Sequence, residues 1–532
     1  MKKFRSLISL LLIFSLLFLG SCNKGNGGGG NNGGGNGGYE DDWGSGTVNG
    51  KGKTLTIICY EAGFGTAWLE ELAREFESAY GCKVTVKKSY INGELIALLN
   101  DNSINDDIVM ALGTMDNAQD RGFLVDLSPV YNSIPQGETQ AIKDKMTQAV
   151  YEKLLTDDGK IYQMNWANSV SSIVLNKSVL DRIFPDGYDI PNTTDELIAF
   201  ADAIKAKGVY PFSVSTSISY WDYAHYTWWA QYDGYDKYID YYHGYYHVEN
   251  ADGTVTRVPA TNGEVLDNQG RVESLKVAET LLKKDNGYMH KYADSMTWQE
   301  SQIAFVGQGY AGSDMTECAM MVNGDWLQNE VQSYLINKNQ ELVMIKMPII
   351  SSIVDTLENK NMTDAQLSAV IDAIDAGATS YEGVSEKDFN RLSEARRMVY
   401  SATFDHCLGI PAKAKNKALA MEFLKFMASD MGQAIYAKHL NGLSMAYGYQ
   451  PTGELNSFVA SRYEITNNMI PICLDFSSPL VYRQGHTAYT TGSGVGLDGF
   501  LYSGRSASWI VQDTKTTLLA TWDEIFKAFK EE

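Results

Sequence analysis

Three stretches of this chain set large flat aromatic rings beside groups that hold hydroxyls. Asn165-Trp166-Ala167-Asn168-Ser169 places an indole among amides, and Asn323-Gly324-Asp325-Trp326 presents a carboxylate beside an indole after a strand-like run. Tyr220–Tyr246 holds thirteen Tyr or Trp residues in 27 positions, with Trp221, Trp228 and Trp229 among ten tyrosines. Such rings stack on sugar faces while polar side chains bind the hydroxyls. The competing use is packing between helices, which is expected to claim most of the thirteen and to leave two or three for ligand.

Other chemistries find less support. Gly307, Gly309 and Gly312 match GxGxxG after a strand-like IAFV, but only six residues separate Gly312 from the next strand-like run, Ala319–Val322. That leaves no room for the helix whose N-terminus would hold a pyrophosphate. Gly494, Gly496 and Gly499 repeat the pattern with no strand before them. His243 and His247 are four apart with no further ligand pattern, so neither a metal nor a cofactor is expected. GxSxG, HExxH and CxxC are absent, and among 65 acidic residues no stretch singles out the acid and nucleophile of a glycosidase.

The elements that must position these residues follow from breakers and periodicity. Thr54–Tyr60 is a buried-strand run, followed by a loop at Glu61-Ala62-Gly63-Phe64-Gly65. A helix with Leu69, Leu72, Ala73 and Phe76 on one face then stops near Gly81. Strand Cys82–Lys88, a helix around Gly93–Asn100 and strand Asp107–Ala111 complete a βαβαβ alternation. This specifies a parallel sheet, with Glu61 and the Leu112–Asp116 turn at its ligand-binding carboxyl edge. Gly159–Lys177 reads as strand, crossing, strand, with Ile161, Tyr162 and Met164 before the break and Ile173, Val174 and Leu175 after it. If the two runs lie in different sheets, Trp166 faces a cleft between lobes; the alternative is an ordinary strand pair in one domain. Thr193 and Glu196 fit a capping box for a helix that Gly208 ends.

The N-terminus is a basic segment, Met1-Lys2-Lys3-Phe4-Arg5, followed by an apolar run from Leu7 to Leu19 that is too short to span a membrane. Residues 1–21 are therefore expected to be a signal peptide. Leu19-Gly20-Ser21-Cys22 resembles a bacterial lipobox, which implies lipidation of Cys22. Residues 25–38 are ten Gly and four Asn, a flexible composition, so 22–52 is expected to form a tether. Without Lys2, Lys3 and Arg5, 41 of the 44 basic residues face 65 acidic ones, a net charge of −24 that argues against nucleic acid as a partner. The remaining 480 or so residues exceed one core, so two or more domains are expected. Five cysteines follow the lipobox, at 59, 82, 318, 407 and 473. Cys59 and Cys82 fall on opposite edges of a parallel sheet, and all five are read as buried free thiols.

Taken in order, the lipobox, the TLTI strand, DIVMA with GFLVDLSP at 122–129, GKIYQMNW…LNK, PNTTDELIAFADAIKAKGVYPF, AMMVNGDW, MP at 347–348 and IPAKAKNKALAMEFLKFM at 410–427 resemble an extracellular solute-binding protein of a bacterial ABC importer. The likeness is to the carbohydrate-binding class that includes maltose-binding protein. It implies an α/β, two-lobed periplasmic-binding-protein-like (type II) fold with a hinge and an interlobe cleft. Mapped here, it implies an N-lobe of 54–165 plus 327–409, a C-lobe of 169–324 plus 412–532, and crossings near 165–169, 324–328 and 408–412. The candidate ligand residues are Glu61, Asp116, Trp166, Trp221, Trp229, Asp325 and Trp326. The implied function is capture of a sugar or oligosaccharide for delivery to membrane permease subunits, without catalysis or cofactor. The carrier would be a monomer anchored through Cys22 to the outer face of the cell membrane. A lipid-anchored glycan-degrading enzyme, and a surface glycan-binding protein not coupled to an importer, are the alternatives. Departures from the family pattern are insertions near 233–268 and 352–400 and a long tail after 450.

Overall fold

The computed structural model describes residues 48–156, 158–306, 317–475, 478–481 and 497–531. The expected signal segment, Cys22, nearly all of the tether, and Gly307, Gly309, Gly312, Gly494 and Gly496 lie outside the described residues.

The first half follows the expected alternation. Strand β1 (Thr54–Tyr60) buries Leu55, Ile57 and Cys59, and the Ala67–Tyr80 helix buries Leu69, Leu72, Ala73 and Phe76 before Gly81 ends it at φ 67°. Strands β2 (Lys83–Ser89) and β3 (Ile108–Leu112) flank β1 in parallel. Cys59 pairs in register with Lys88, at the opposite end of the ladder from Cys82, and all five described cysteines are buried and free.

Strand β4 (Met164–Asn165) lies in this first sheet, whereas β5 (Val170–Asn176) is fully buried at the centre of a second, so the chain does change sheets at Trp166–Ser169. The second sheet takes β6 (Tyr210–Phe212) and β9 (Cys318–Gly324). Between them β7 (Tyr245–Glu249) and β8 (Val255–Pro259) form a separate hairpin in the expected 233–268 insertion. Strands β10 (Leu342–Ile345) and β11 (Met398–Ser401) both pair antiparallel with β5. Among the described residues only β12 (His406–Gly409) returns to the first sheet, between β3 and β4, and β13 (Ile470–Ile472) joins the second beside β11.

The strand pairing departs from the expected partition. Residues 324–328 are not a change of sheet, because β9 and β10 both pair with β5, and the return at the later boundary falls at 402–405, between β11 and β12. Residues 412–440 also depart from it: the Lys417–Ala428 and Asp430–His439 helices pack on the Ala67–Tyr80 helix of the first lobe. The segment 352–400 carries helices Asp364–Asp375 and Glu386–Arg397. The strand-like IAFV is instead the end of the Trp298–Phe305 helix, opened by a Thr297/Glu300 capping box.

Candidate functional site

Loops from both sheets converge on one aromatic belt. Phe64 arrives on the loop after β1, Trp166 on the segment that leaves the first sheet, His406 at the start of β12, Trp326 on the turn after β9, and Tyr220 and Tyr223 at the start of the Trp221–Asp233 helix. Trp166 stacks on Trp68 with ring centroids 6.2 Å apart, and meets the Phe64 and His406 rings edge-on at 6.1 and 4.7 Å. Trp326 lies 6.4 Å from Phe64, 6.4 Å from Tyr220 and 6.2 Å from Tyr223, whose ring continues to Tyr400 at 4.7 Å. The belt therefore spans from one lobe to the other. Its indole faces and tyrosine rings supply the stacking chemistry suited to sugars. The Trp166 indole Nε1 is buried with no partner among the described residues.

Two glycines set the closeness of this contact. A Cβ at Gly324 would lie 2.1 Å from the Trp326 ring, so only glycine lets the indole fold back over its own strand end. A Cβ at Gly63 would lie 2.8 Å from Glu330 Oε1 and 2.9 Å from the Trp326 ring, and Asn329 donates to the Gly63 carbonyl at 2.6 Å. The β1 loop is thus seated directly on the turn after β9.

Carboxyls surround the belt. Burial pushes Glu330 up to about 7, opposed by a hydrogen bond from Gln302 at 2.7 Å. Burial also pushes Asp405 up to about 7, with Lys153 pulling the other way. Asp222 and Asp498 are buried next to Tyr223, each with one carboxyl oxygen unpartnered among the described residues, and burial raises Asp222 to about 8. His406 donates through Nδ1 to the Ala402 carbonyl at 2.8 Å, and burial lowers its ring to about 4, leaving a neutral imidazole at pH 7.

The expected site residues divide. Trp166 and Trp326 are in the belt, 2% and 8% exposed. Asp116 follows β3 at the carboxyl edge of the first sheet, half-buried, and accepts from Gln163; burial is the main reason its carboxyl is raised. Glu61 lies exposed at the rim, 3.3 Å from Lys88, lining a cavity of about 260 Å³ with Phe64, Trp68, Asn329 and His439. Asp325 is 1% exposed and its carboxylate is engaged within the protein. It accepts from Ser169 at 2.6 Å and from Arg462 at 3.1 Å, and Arg462 also holds the Asn168 carbonyl, so Asp325 fastens the sheet-changing segment. Trp221 and Trp229 are core residues. Trp221 packs edge-on against Phe212, and the Trp229 indole donates to Asp233 at 2.7 Å while its ring meets Tyr241. The helix that carries them is buried nearly all round, so its rings are consumed by packing.

Phe64, Tyr220, Tyr223, Glu330, Tyr400, Asp405 and His406 were not singled out from the sequence. Phe64 had a usable signal, a lone aromatic in a glycine loop at the carboxyl edge of β1; Asp405 and His406 had none, because their place depends on β11 and β12 joining different sheets.

Two α/β lobes, joined by segments that change sheets and meeting at an aromatic and carboxyl-lined belt, define a binding protein of the periplasmic class. The chain belongs to the family of bacterial extracellular solute-binding proteins, whose sequence profile matches residues 71–460. It is a solute-binding protein of a transporter and not an enzyme. Among solved structures, a chitin oligosaccharide binding protein superposes with a TM-score of 0.60 at 16% identity, covering 90% of this chain and 99% of that one. The solute receptor AcbH, described as preferring β-D-galactopyranose, gives 0.60 at 14% identity over 89% and 99%. RafE in complex with raffinose gives 0.58 at 16% over 88% and 99%. At these identities the likeness establishes the fold. A comparison with curated proteins finds no match.

Proposed function

We propose that this protein captures a sugar or oligosaccharide between its lobes and delivers it to the permease subunits of an ABC importer, while a lipid at Cys22 holds it to the outer face of the cell membrane. The observation that carries the reading is the belt itself: Phe64 from one lobe, Tyr220, Tyr223 and Trp326 from the other, and Trp166 between them, with carboxyls at its edges. Asp116 and Glu61 are the hydroxyl acceptors contributed by the first lobe, and Glu330 and Asp405 those whose charge reaches Tyr220 and Tyr223. The neighbours that bind chitin oligosaccharide, galactopyranose and raffinose support a carbohydrate ligand. A sugar touching both lobes binds the closed form better than the open one and shifts the population by that difference in affinity.

A thermal-shift screen against mono- and oligosaccharides tests this. The cognate sugar at 100 times its dissociation constant should stabilise the protein by about 2.7 kcal/mol. It should also change the intrinsic fluorescence, because Trp166 and Trp326 line the contact. Stabilisation by amino acids or peptides and by no saccharide would reject the carbohydrate ligand while leaving the solute-binding role intact.

A further inference from the structure

Two ring nitrogens at the centre of the belt have no partner among the described residues. The backbone sets the rings that carry them side by side: β4 and β12 pair through Asn165 and Cys407, and the next amide along, that of Trp166, donates to the His406 carbonyl at 3.1 Å. The two rings meet edge-on, 83° apart in plane and 4.7 Å between centroids. Trp166 Nε1 is a buried donor with nothing to donate to. On His406 the Ala402 carbonyl, which can only accept, lies 2.8 Å from Nδ1 and so fixes the proton on that nitrogen. Burial keeps the imidazole neutral, which leaves a lone pair on Nε2, and no donor among the described residues reaches it. Trp68 backs the indole at 6.2 Å, and Phe64 and Trp326 lie 5.3 and 6.2 Å from the imidazole. Trp326 comes from the second lobe, so parting the lobes uncovers the pair.

A buried donor and a buried acceptor left unmade each forfeit their hydration with no return, and such groups in folded proteins are as a rule satisfied by something. A hydroxyl answers both at one atom, since its oxygen accepts and its O–H donates, whereas an ammonium has no lone pair to offer the indole. In these apolar surroundings both bonds would be stronger than at a wet surface. Resting on the carbohydrate reading above, we propose that one hydroxyl of the saccharide binds where these two rings meet, accepting from Trp166 Nε1 and donating to His406 Nε2, and that His406 is thereby a specificity-determining residue of the site.

The test takes the saccharide that thermal shift selects, together with its mono-deoxy and mono-deoxyfluoro analogues, one hydroxyl changed at a time, and measures each by calorimetry on the whole protein. At one position both analogues should bind at least about tenfold more weakly, because a deoxy carbon neither accepts nor donates and fluorine cannot donate. His406→Phe and Trp166→Phe each keep a ring in place while removing one nitrogen, and the Ala402 carbonyl retains the Asp405 amide as a donor at 3.1 Å. In both variants the penalty at that same position should shrink toward none, with the penalties elsewhere on the sugar unchanged. A packing role alone would weaken every analogue by one common factor, and that result overturns the inference. So does a wild-type series in which no hydroxyl carries such a penalty, the pattern expected of a pair that only ever holds water; this arm needs no variant to fold. Either result leaves the carbohydrate reading standing. Failure of every saccharide overturns that reading and this inference with it.

Discussion

Gly63→Ala separates lobe closure from folding. Gly63 sits where the β1 loop meets the turn after β9, and its added methyl would stand 2.8 Å from Glu330 Oε1, 2.9 Å from the Trp326 ring and 3.0 Å from the Trp326 Cβ. Its φ lies outside the left-handed region, so alanine adds no backbone strain and acts only through these contacts. The carboxylate end can swing aside, but the Trp326 Cβ is fixed to the backbone and cannot. Inserting one carbon into a packed contact costs about 1–3 kcal/mol. Here that cost falls on the closed arrangement alone, because opening the lobes relieves it. At 1.4 kcal/mol per tenfold, affinity for the cognate sugar should fall about 5- to 150-fold. The core of each lobe is untouched, so the unfolding midpoint of the ligand-free protein should drop far less than that loss of binding implies. Isothermal calorimetry measures the affinity, and small-angle scattering of the ligand-free variant should report a larger radius of gyration than wild type. Wild-type affinity together with a wild-type radius would show that this contact does not govern closure, and the reasoning from Gly63 would fail.

Three further outcomes follow from buried groups and from the anchor. Asp325→Ala leaves Arg462 buried without its carboxylate partner, and should destabilise the protein by about 3–5 kcal/mol in denaturant melts, with affinity per folded molecule retained; a selective loss of sugar binding at unchanged stability would return Asp325 to the ligand site. Asp222 holds its proton in the folded state up to about pH 8, whereas the unfolded chain releases it near pH 4, so folded stability falls as pH rises through that window, by at most about 1.4 kcal/mol per pH unit for this one group. Asp222→Asn should make the decline between pH 4 and 8 shallower, with the other buried carboxyls that burial raises, Asp498, Glu330 and Asp405 among them, supplying what remains, and an identical slope in the variant would contradict the assignment. Cys22→Ser should abolish lipidation and move the protein out of the detergent phase on partitioning; a variant that partitions like wild type would refute the lipobox.

Much of the chain as far as Gly208 was readable because its signals are local. Gly81, the helical spacing of Leu69, Leu72 and Phe76, and the capping Thr193 each act within a few residues, and each does in the structure what its type predicts. Even there the capping box is shifted, since Glu196 reaches back to the Asn192 amide rather than to Thr193. The path of the second half was not readable. Nothing near Leu342–Ile345 or Met398–Ser401 announces that both will pair antiparallel with β5, some 165 to 230 residues earlier in the numbering. IAFV misled because apolar residues of that kind suit a strand, although the Thr297 and Glu300 caps were already visible. Composition picked out the aromatic stretch correctly and its roles only in part. Trp221 and Trp229 face core on a helix with no solvent side, while Tyr220 and Tyr223, at its first turn, reach the belt. Trp166 and Trp326 stood out as candidates because each is an indole set beside an amide or a carboxylate just past a strand end.

Closure on a sugar is the centre of the account, and small-angle scattering with and without the saccharide selected by thermal shift tests it most directly. The account predicts a smaller radius of gyration at saturation, accompanied by a change in tryptophan fluorescence with the same midpoint. A saccharide that binds tightly while the radius stays constant would place its site outside the contact between the lobes and contradict the account.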